Sequence, residues 1–196
     1  MLRKLSRKLS LILRSQQGCE RYNSEIIAYG LEIILGSSFK FFSIAAISIL
    51  LKTFPETMLS LFAFALIRNF AGGAHCKTYC LCYLTGVPLI VMNGVLARYF
   101  IIPRMPLTLM GDLTLMAGLF IIMKWAPAGT EKKAVTETAV RVRMKQITIL
   151  ILGAIFLLNN AFFMLDRMNY FQAVSLGAFE SLLFVTPVGY RILKAV

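Results

Sequence analysis

Six long apolar stretches, separated by charged residues or proline, constrain the fold of this chain more than any other feature. They run over about 26–51, 55–70, 79–101, 106–124, 147–165 and 170–189. A transmembrane helix needs about 20 apolar residues, so each stretch predicts one membrane-spanning helix. Composition agrees, because 58% of the 196 residues are hydrophobic and only 15% are charged. The sequence therefore predicts an all-α, polytopic membrane protein with about six spans and excludes an ordinary soluble domain.

Two segments qualify this prediction. In the second stretch only Met58–Ile67 is continuously uncharged, so we expect a helix that is short, tilted or partly buried in protein. Residues 1–21 place leucines and Ile12 at helical spacing, with basic residues between them. This pattern predicts a retained amphipathic helix on the membrane surface, since its uncharged run is too short for a signal peptide. We expect residues 1–196 to form a single integral-membrane domain.

The basic residues predict the orientation in the membrane. Assigned to alternate sides, 16 Lys and Arg fall at the two termini and in the connections 68–78 and 124–145. The opposite side receives four, which are Lys52, Arg98, Arg104 and Arg167. The positive-inside rule then puts both termini and the 68–78 connection in the cytoplasm. Topology accounts for the net charge of +12 without nucleic acid as a partner.

Four ionisable residues fall within or near predicted spans: Glu32, Lys40, Asp112 and Glu180. Charges at such depth are costly, and they usually face a protein interior or a water-filled cavity. They are candidates for function, although pairing between helices or snorkelling explains them equally well. A non-enzymatic transporter or peptide exporter, with Glu32, Asp112 and Glu180 lining a pathway, is therefore one functional hypothesis.

The stretch from Arg68 to Cys82 interrupts the apolar pattern with groups that can perform chemistry. It contains Gly72-Gly73, the single histidine His75, and the three cysteines Cys76, Cys80 and Cys82. A cysteine acts as a nucleophile in its thiolate form, and a histidine can take its proton near neutral pH. A cysteine protease or acyl-transfer enzyme follows as a second hypothesis.

Geometry limits that hypothesis. In one straight helix His75 and Cys82 would be separated axially by roughly 10 Å and could not form a hydrogen bond. A catalytic pair therefore requires the chain to bend, and Gly72-Gly73 supplies the backbone freedom for such a bend. Spacing alone favours Cys76 or Cys80 equally. Three alternatives remain open: a zinc site from His75 and the three cysteines, buried apolar cysteines beside an interface histidine, and a redox switch.

Three sets of residues match a known family. The pattern Arg68-x4-Gly73-x-His75-x6-Cys82 resembles the signature of the accessory gene regulator B (AgrB-like) family of bacterial membrane endopeptidases. The segment Tyr29-Gly30-Leu31-Glu32 and the segment from Trp125 to Lys133 are also similar to family segments. The chain departs from the family at Ala134, where relatives often have proline, and in the additional thiols of Cys76 and Cys80.

The resemblance implies that Cys82 is the nucleophile and His75 its general base, with no cofactor or metal. The substrate would be an AgrD-like propeptide at the inner membrane face, whose C-terminal tail is removed through a thioester on the enzyme. Attack by a thiol or hydroxyl of the peptide then gives a cyclic thiolactone or lactone signal for quorum sensing. A homodimer is an assembly that the sequence allows.

Supporting roles are weaker expectations. Arg68 suits a substrate carboxylate, since guanidinium pairs with carboxylates. Gly72 and Gly73 suit the bend, and their N–H groups are candidates for an oxyanion hole. Glu32 is a candidate for orienting His75. The basic connection containing Lys132 and Lys133 suits an acidic peptide tail, although an anchor beside anionic lipid explains it as well.

Overall fold

A computed structural model describes Ser6, Lys8, Ser10, Ile12 and residues 24–74, 76, 78–100, 102–128 and 138–195. Within these ranges the chain forms helices and no strand, which confirms the all-α prediction. The helices are α1 (Ser24–Leu50), α2 (Phe54–Ala71), α3 (Tyr79–Tyr99), α4 (Arg104–Trp125), α5 (Thr138–Met164), α6 (Met168–Leu183) and α7 (Pro187–Ala195). The chain divides into two compact units, residues 1–44 and residues 45–196.

Four of these helices, α1, α3, α4 and α5, are long and apolar enough to cross a membrane. A fifth span results if α6 and α7, which meet at an angle of 85°, count as one broken helix. Each of the six apolar stretches coincides with a helix, but the count of about six spans is not confirmed. The helix α2 has only 18 residues and carries Glu56 and Arg68, and α6 has only 16 residues.

The two short helices α2 and α6 form the centre of the second unit. They pack against each other, and both also pack against α3 and α5. The surrounding helices keep large apolar side chains on their outer faces, such as Leu84 on α3, Met116 on α4 and Leu157 on α5. Because other helices cover α2, its surface does not need the continuous apolar character of a lipid-facing helix. This position explains the weak hydropathy of the 55–70 stretch.

A buried carboxylate joins three helices at one end of this unit. The side chain of Glu56, at the start of α2, is fully buried. Its Oε1 accepts hydrogen bonds from Arg98 Nη1 at 3.3 Å and from Asn169 Nδ2 at 2.8 Å. Arg98 lies at the end of α3 and Asn169 at the start of α6. The sequence alone does not predict that Glu56 is buried, because a carboxylate at the edge of an apolar stretch normally marks the end of a membrane span.

Contacts between helices and loops also define the two ends of the second unit. At one end lie the contacts Arg98–Glu56, Tyr99–Leu51 and Arg104–Asp166. Four basic residues are part of these contacts or adjacent to them in sequence: Lys52, Arg98, Arg104 and Arg167. At the other end Ala71 meets Ala128, and Ala74 meets Phe184. This division matches the grouping of basic residues that the positive-inside rule predicts for this part of the chain.

The predicted amphipathic segment 1–21 lies mostly outside the described residues. Ser6, Lys8, Ser10 and Ile12 are helical. The amphipathic surface helix and the single-domain organisation stay predictions.

Candidate active site

The double glycine ends α2 with two residues in backbone conformations that favour glycine. Gly72 has φ 71° and Gly73 has φ 124°, both in the region where a Cβ atom is strained. The helix stops at Ala71, and α3 does not begin until Tyr79. The stretch from Arg68 to Cys82 is therefore not one continuous helix, and the chain bends where the glycines predict a bend.

The segment after α4 holds the double glycine on one side. The Ala128 N–H donates to the Ala71 carbonyl at 2.8 Å, and the Gly73 N–H donates to the Ala128 carbonyl at 3.0 Å. Ala128 follows Pro127 in the second segment that resembles the family. Gly73 and Ala128 are 55 residues apart in the sequence, and each lies in a segment that carries the family resemblance. The two segments are thus hydrogen-bonded to each other through their backbones.

The bend between α6 and α7 holds the double glycine on its other side. The Ala74 N–H donates to the Phe184 carbonyl at 2.9 Å. A Cβ atom at Gly73 would lie 2.7 Å from that same carbonyl oxygen and would also overlap the Arg68 guanidinium. Glycine is therefore required at this position by both backbone angle and space.

Arg68 closes the turn from the side of α2. Its Nη2 donates to the Ala74 carbonyl, and its Cζ lies 5.7 Å from the centroid of the Phe184 ring. Its Nη1 is buried and has no hydrogen-bond partner among the described residues. The guanidinium also interacts electrostatically with Cys82, Tyr190 and Cys76. Arg68 therefore connects the double-glycine turn to two of the thiols and to α7.

Cys82 lies at the end of the first turn of α3. Thr78 caps this helix, since its Oγ1 accepts from the Leu81 N–H at 3.3 Å, and the Cys82 N–H donates to the Thr78 carbonyl at 3.1 Å. The thiol-bearing residue is half-buried, whereas Cys80 is exposed. A helix N-terminus carries partial positive charge, so Cys82 lies where both the helix and Arg68 stabilise negative charge.

The backbone N–H groups of the turn are already occupied. The Gly72 N–H donates to the Arg68 carbonyl at 3.2 Å, and those of Gly73 and Ala74 donate to Ala128 and Phe184. An oxyanion hole needs donors that point at the reacting oxygen. In this conformation the double glycine shapes the turn and does not supply those donors.

Three predicted site residues, His75, Lys132 and Lys133, lie outside the described residues. Glu32 is half-buried in α1, within the unit formed by residues 1–44. Arg141, Arg143 and Lys145 of the basic connection are helical, because α5 begins at Thr138 instead of near residue 147.

The acidic residues of the transporter hypothesis have different surroundings. Asp112 is exposed on α4. Glu180 is half-buried on α6, and its Oε2 accepts from Asn93 Nδ2 at 2.7 Å. The same Asn93 nitrogen donates to Ser60 Oγ at 3.0 Å. Asn93 on α3 thus links Glu180 on α6 to Ser60 on α2, whereas Asp112 is exposed on α4.

Within the described ranges, no three side chains of His, Cys, Asp or Glu are grouped as metal ligands. The zinc hypothesis depends on His75, which lies outside those ranges.

Comparison with known sequences decides the family. The sequence model for accessory gene regulator B matches residues 3–186, nearly the whole chain. The chain belongs to the accessory gene regulator B family. The resemblance carried by Arg68, Gly73, His75 and Cys82 is thereby confirmed at the level of the family.

Relatives of this chain occur in several bacteria. It is 33% identical over 149 residues to accessory gene regulator protein B of Staphylococcus saprophyticus, covering 73% of this chain and 75% of the relative. The same-named protein of Staphylococcus aureus strain MW2 is 27% identical over 164 residues, with 84% and 83% covered. An AgrB-like protein of Clostridium perfringens strain SM101 is 26% identical over 155 residues, with 78% and 72% covered. No solved structure matches the chain.

Family membership is consistent with a role in processing the agr quorum-sensing peptide. The sequence alone does not predict Phe184 and Tyr190 as neighbours of Arg68. Nothing in the sequence around either residue signals their position. Ala128 has a signal, because it lies in the segment from Trp125 to Lys133 that is similar to the family.

Proposed function

We propose that this protein is a membrane cysteine endopeptidase that removes the C-terminal tail of an AgrD-like propeptide, with Cys82 as nucleophile and His75 as general base. The observation that carries the proposal is the placement of Arg68. Its guanidinium holds the double-glycine turn through the Ala74 carbonyl and interacts electrostatically with Cys82 on the next helix. The turn and the thiol are thus parts of one charged site.

The positions of the residues flanking His75 support its proposed role. Ala74 is held by Phe184 and Arg68, and the Cys76 thiol lies 3.6 Å from Thr85 Oγ1 on α3. Thr85 is three residues after Cys82, a spacing that places two side chains on one helix face. Cys76, the residue after the proposed base, therefore contacts the helix that carries the proposed nucleophile.

The proposed reaction has two stages. The Cys82 thiolate attacks the carbonyl at the scissile bond, and the proton held by His75 passes to the departing amine of the tail. The acyl group then remains on Cys82 as a thioester. A thiol or hydroxyl of the propeptide attacks this thioester, releases Cys82 and closes a thiolactone or lactone ring. An apolar surrounding slows the competing attack by water.

Arg68 has a positioning role in this proposal, since Nη2 is committed to the turn. Its buried Nη1 is a donor that a substrate carboxylate or carbonyl can satisfy, and burial makes such a bond favourable. Gly72 and Gly73 permit the turn. We also propose that Lys132 and Lys133 attract an acidic tail and that Glu32 orients His75.

The proposed location is the cytoplasmic face of a bacterial cell membrane, with both termini on that side and lipid around the outer faces of the helices. The charge division between the two ends of the second unit supports this orientation. A homodimer stays a prediction.

The test is co-expression of the protein with an AgrD-like propeptide, followed by mass spectrometry of the peptide. We expect a product that lacks the tail, and we expect Cys82→Ala to abolish it. The matched controls Cys76→Ala and Cys80→Ala remove neighbouring thiols and should retain the product. Product formation by Cys82→Ala would contradict the assignment of the nucleophile.

A further inference from the structure

We propose that Cys76 and Cys82 form a reversible disulfide when the site meets a hydroperoxide, so that this pair is a redox modification site. The disulfide itself follows from the placement of the two thiols. The disulfide would also protect Cys82 from further oxidation, and the importance of this protection for a catalytic nucleophile rests on the function proposed above.

The first observation is the position of Cys76 relative to α3. Its Sγ lies 3.6 Å from Thr85 Oγ1, and that hydroxyl donates to the Leu81 carbonyl at 2.9 Å. Residues three apart on a helix have Cβ atoms about 5–6 Å from each other. The Cys76 thiol therefore lies over the face of α3 that presents Cys82 and Thr85.

Cys80 provides an internal comparison. It is two residues from Cys82, a spacing at which helical side chains do not face each other. It is also exposed, whereas Cys76 and Cys82 are both half-buried. Of the two neighbouring thiols, the geometry points to Cys76 as the partner of Cys82.

The second observation is the shared cation. The Arg68 guanidinium interacts electrostatically with both Cys76 and Cys82. A nearby positive charge stabilises a thiolate, which is the form that reacts with peroxides and with disulfides. One guanidinium therefore favours reaction at either sulfur.

A disulfide requires its two Cα atoms to lie within about 7 Å. Cys76 lies outside the helices, whereas Cys82 lies in α3. At Cys76 the bond therefore does not require a helix to unwind.

The chemistry balances with hydrogen peroxide, the simplest hydroperoxide, as oxidant. The Cys82 thiolate attacks the peroxide, the O–O bond breaks, and sulfenic acid and one water form after proton uptake. The Cys76 thiol then attacks the sulfenic sulfur, forming the S–S bond and releasing a second water. Two thiols lose two electrons, which reduce the peroxide to two waters. Two equivalents of an external thiol reverse the change by exchange. Transient disulfides of this kind occur in reducing compartments.

The sequence allows a direct test on the full chain in membranes. After hydrogen peroxide and N-ethylmaleimide, trypsin without reductant cuts after Arg68, Lys77 and Arg98. Cys76 then lies in peptide 69–77 and Cys82 in peptide 78–98. We expect these two peptides to be joined, and dithiothreitol to separate them.

Two matched variants assign the sulfurs. Cys80→Ser should keep the linked peptides, because Cys82 remains. Cys82→Ser and Cys76→Ser should each lose them, and Cys76→Ser should instead accumulate sulfinic acid on Cys82. Loss of the linked peptides in Cys80→Ser, or their absence from the oxidised wild-type chain, would overturn the inference.

An assay of propeptide processing tests the disulfide and the proposed protease separately. After peroxide followed by dithiothreitol, wild type should recover its activity and Cys76→Ser should not. A linked peptide in a chain that does not process the propeptide would refute only the protease. Processing that depends on Cys82, without any linked peptide, would refute only the disulfide.

Discussion

At the scale of single residues, Gly73 is the most constrained position in the candidate site. It combines φ 124° with a carbonyl oxygen that a Cβ atom would approach to 2.7 Å. We expect Gly73→Ala to lower the free energy of unfolding by about 1–3 kcal/mol and to impair processing, because the backbone is strained and the turn must move. Thermal unfolding in detergent, followed by size-exclusion chromatography, measures the stability.

The control for this substitution is Gly86→Ala on α3. Nothing lies within 4 Å of a Cβ atom at Gly86, and alanine favours a helix over glycine by about 1 kcal/mol. We therefore expect unchanged or slightly higher stability. Equal losses in the two variants would show that the turn does not impose the constraint.

The double glycine also shows what local sequence can predict. Gly72 and Gly73 are adjacent, and that pair predicts a bend, which the positive φ values confirm. The partners of the bend are not predictable in the same way. Phe184 lies 110 residues after Ala74, and it contributes only a backbone carbonyl and a ring to the site. Neither contribution requires an unusual residue type that a sequence pattern can reveal.

At the scale of elements, the contact between α2 and α6 depends on close backbone approach. Gly177 on α6 packs against the Ser60 carbonyl of α2, and a Cβ atom there would also lie 2.8 Å from Ser60 Oγ. We expect Gly177→Ala to cost about 1–3 kcal/mol by overpacking. Gly153→Ala on α5, where nothing lies within 4 Å, should not lower the melting temperature in the same assay.

The Glu56 contacts hold α2, α3 and α6 together at the end opposite the candidate site. Glu56→Ala leaves Asn169 and the half-exposed Arg98 without this acceptor, so we expect a loss of about 1–3 kcal/mol. Glu56→Gln keeps an acceptor oxygen and should lose less. Thermal unfolding of both variants measures the difference.

A second ion pair provides the control for this prediction. Arg104 and Asp166 are both exposed, so Asp166→Asn should change stability by less than about 1 kcal/mol. An effect as large as that of Glu56→Ala would mean that burial does not determine the strength of these contacts.

Hydropathy predicts where the helices lie better than it predicts their surroundings. The six apolar stretches coincide with helices because a long apolar run has few alternatives in a membrane. The weak hydropathy of the 55–70 stretch distinguishes α2 from the lipid-length helices α3 and α5, but it does not identify the helices that cover α2. Burial of Glu56 depends on Arg98 and Asn169, which lie 42 and 113 residues further along the chain. Such distant pairing has no local signal.

At the scale of the whole molecule, the proposed orientation predicts which side of the membrane each end faces. A thiol reagent that cannot cross the membrane should label Lys133→Cys only from the cytoplasmic side. It should label Asp166→Cys only from the outside, because Asp166 contacts Arg104 at the other end of the second unit. The unmodified chain measures background labelling of the native cysteines. Labelling of both positions from one side would contradict the orientation.

The basic residues predict this division because charge is costly to move across a membrane, whatever the packing. No comparable physical cost determines whether the acidic residues of the transporter hypothesis face one another. Asp112 and Glu180 both lie within apolar stretches, but helix rotation leaves one exposed on α4 and joins the other to Asn93. Rotation about a helix axis is determined by packing, which apolar runs do not encode well.

Gly73 and Ala74 take their backbone partners from residues that are synthesised much later. Ala128 leaves the ribosome more than fifty residues after the glycines, and Phe184 follows more than fifty residues after that. A nascent chain that has inserted only its first four helices thus lacks the carbonyl that fixes Ala74. The proposed nucleophile is therefore translated about a hundred residues before Phe184 completes its surroundings, and a product truncated before Phe184 would carry the thiol without the site.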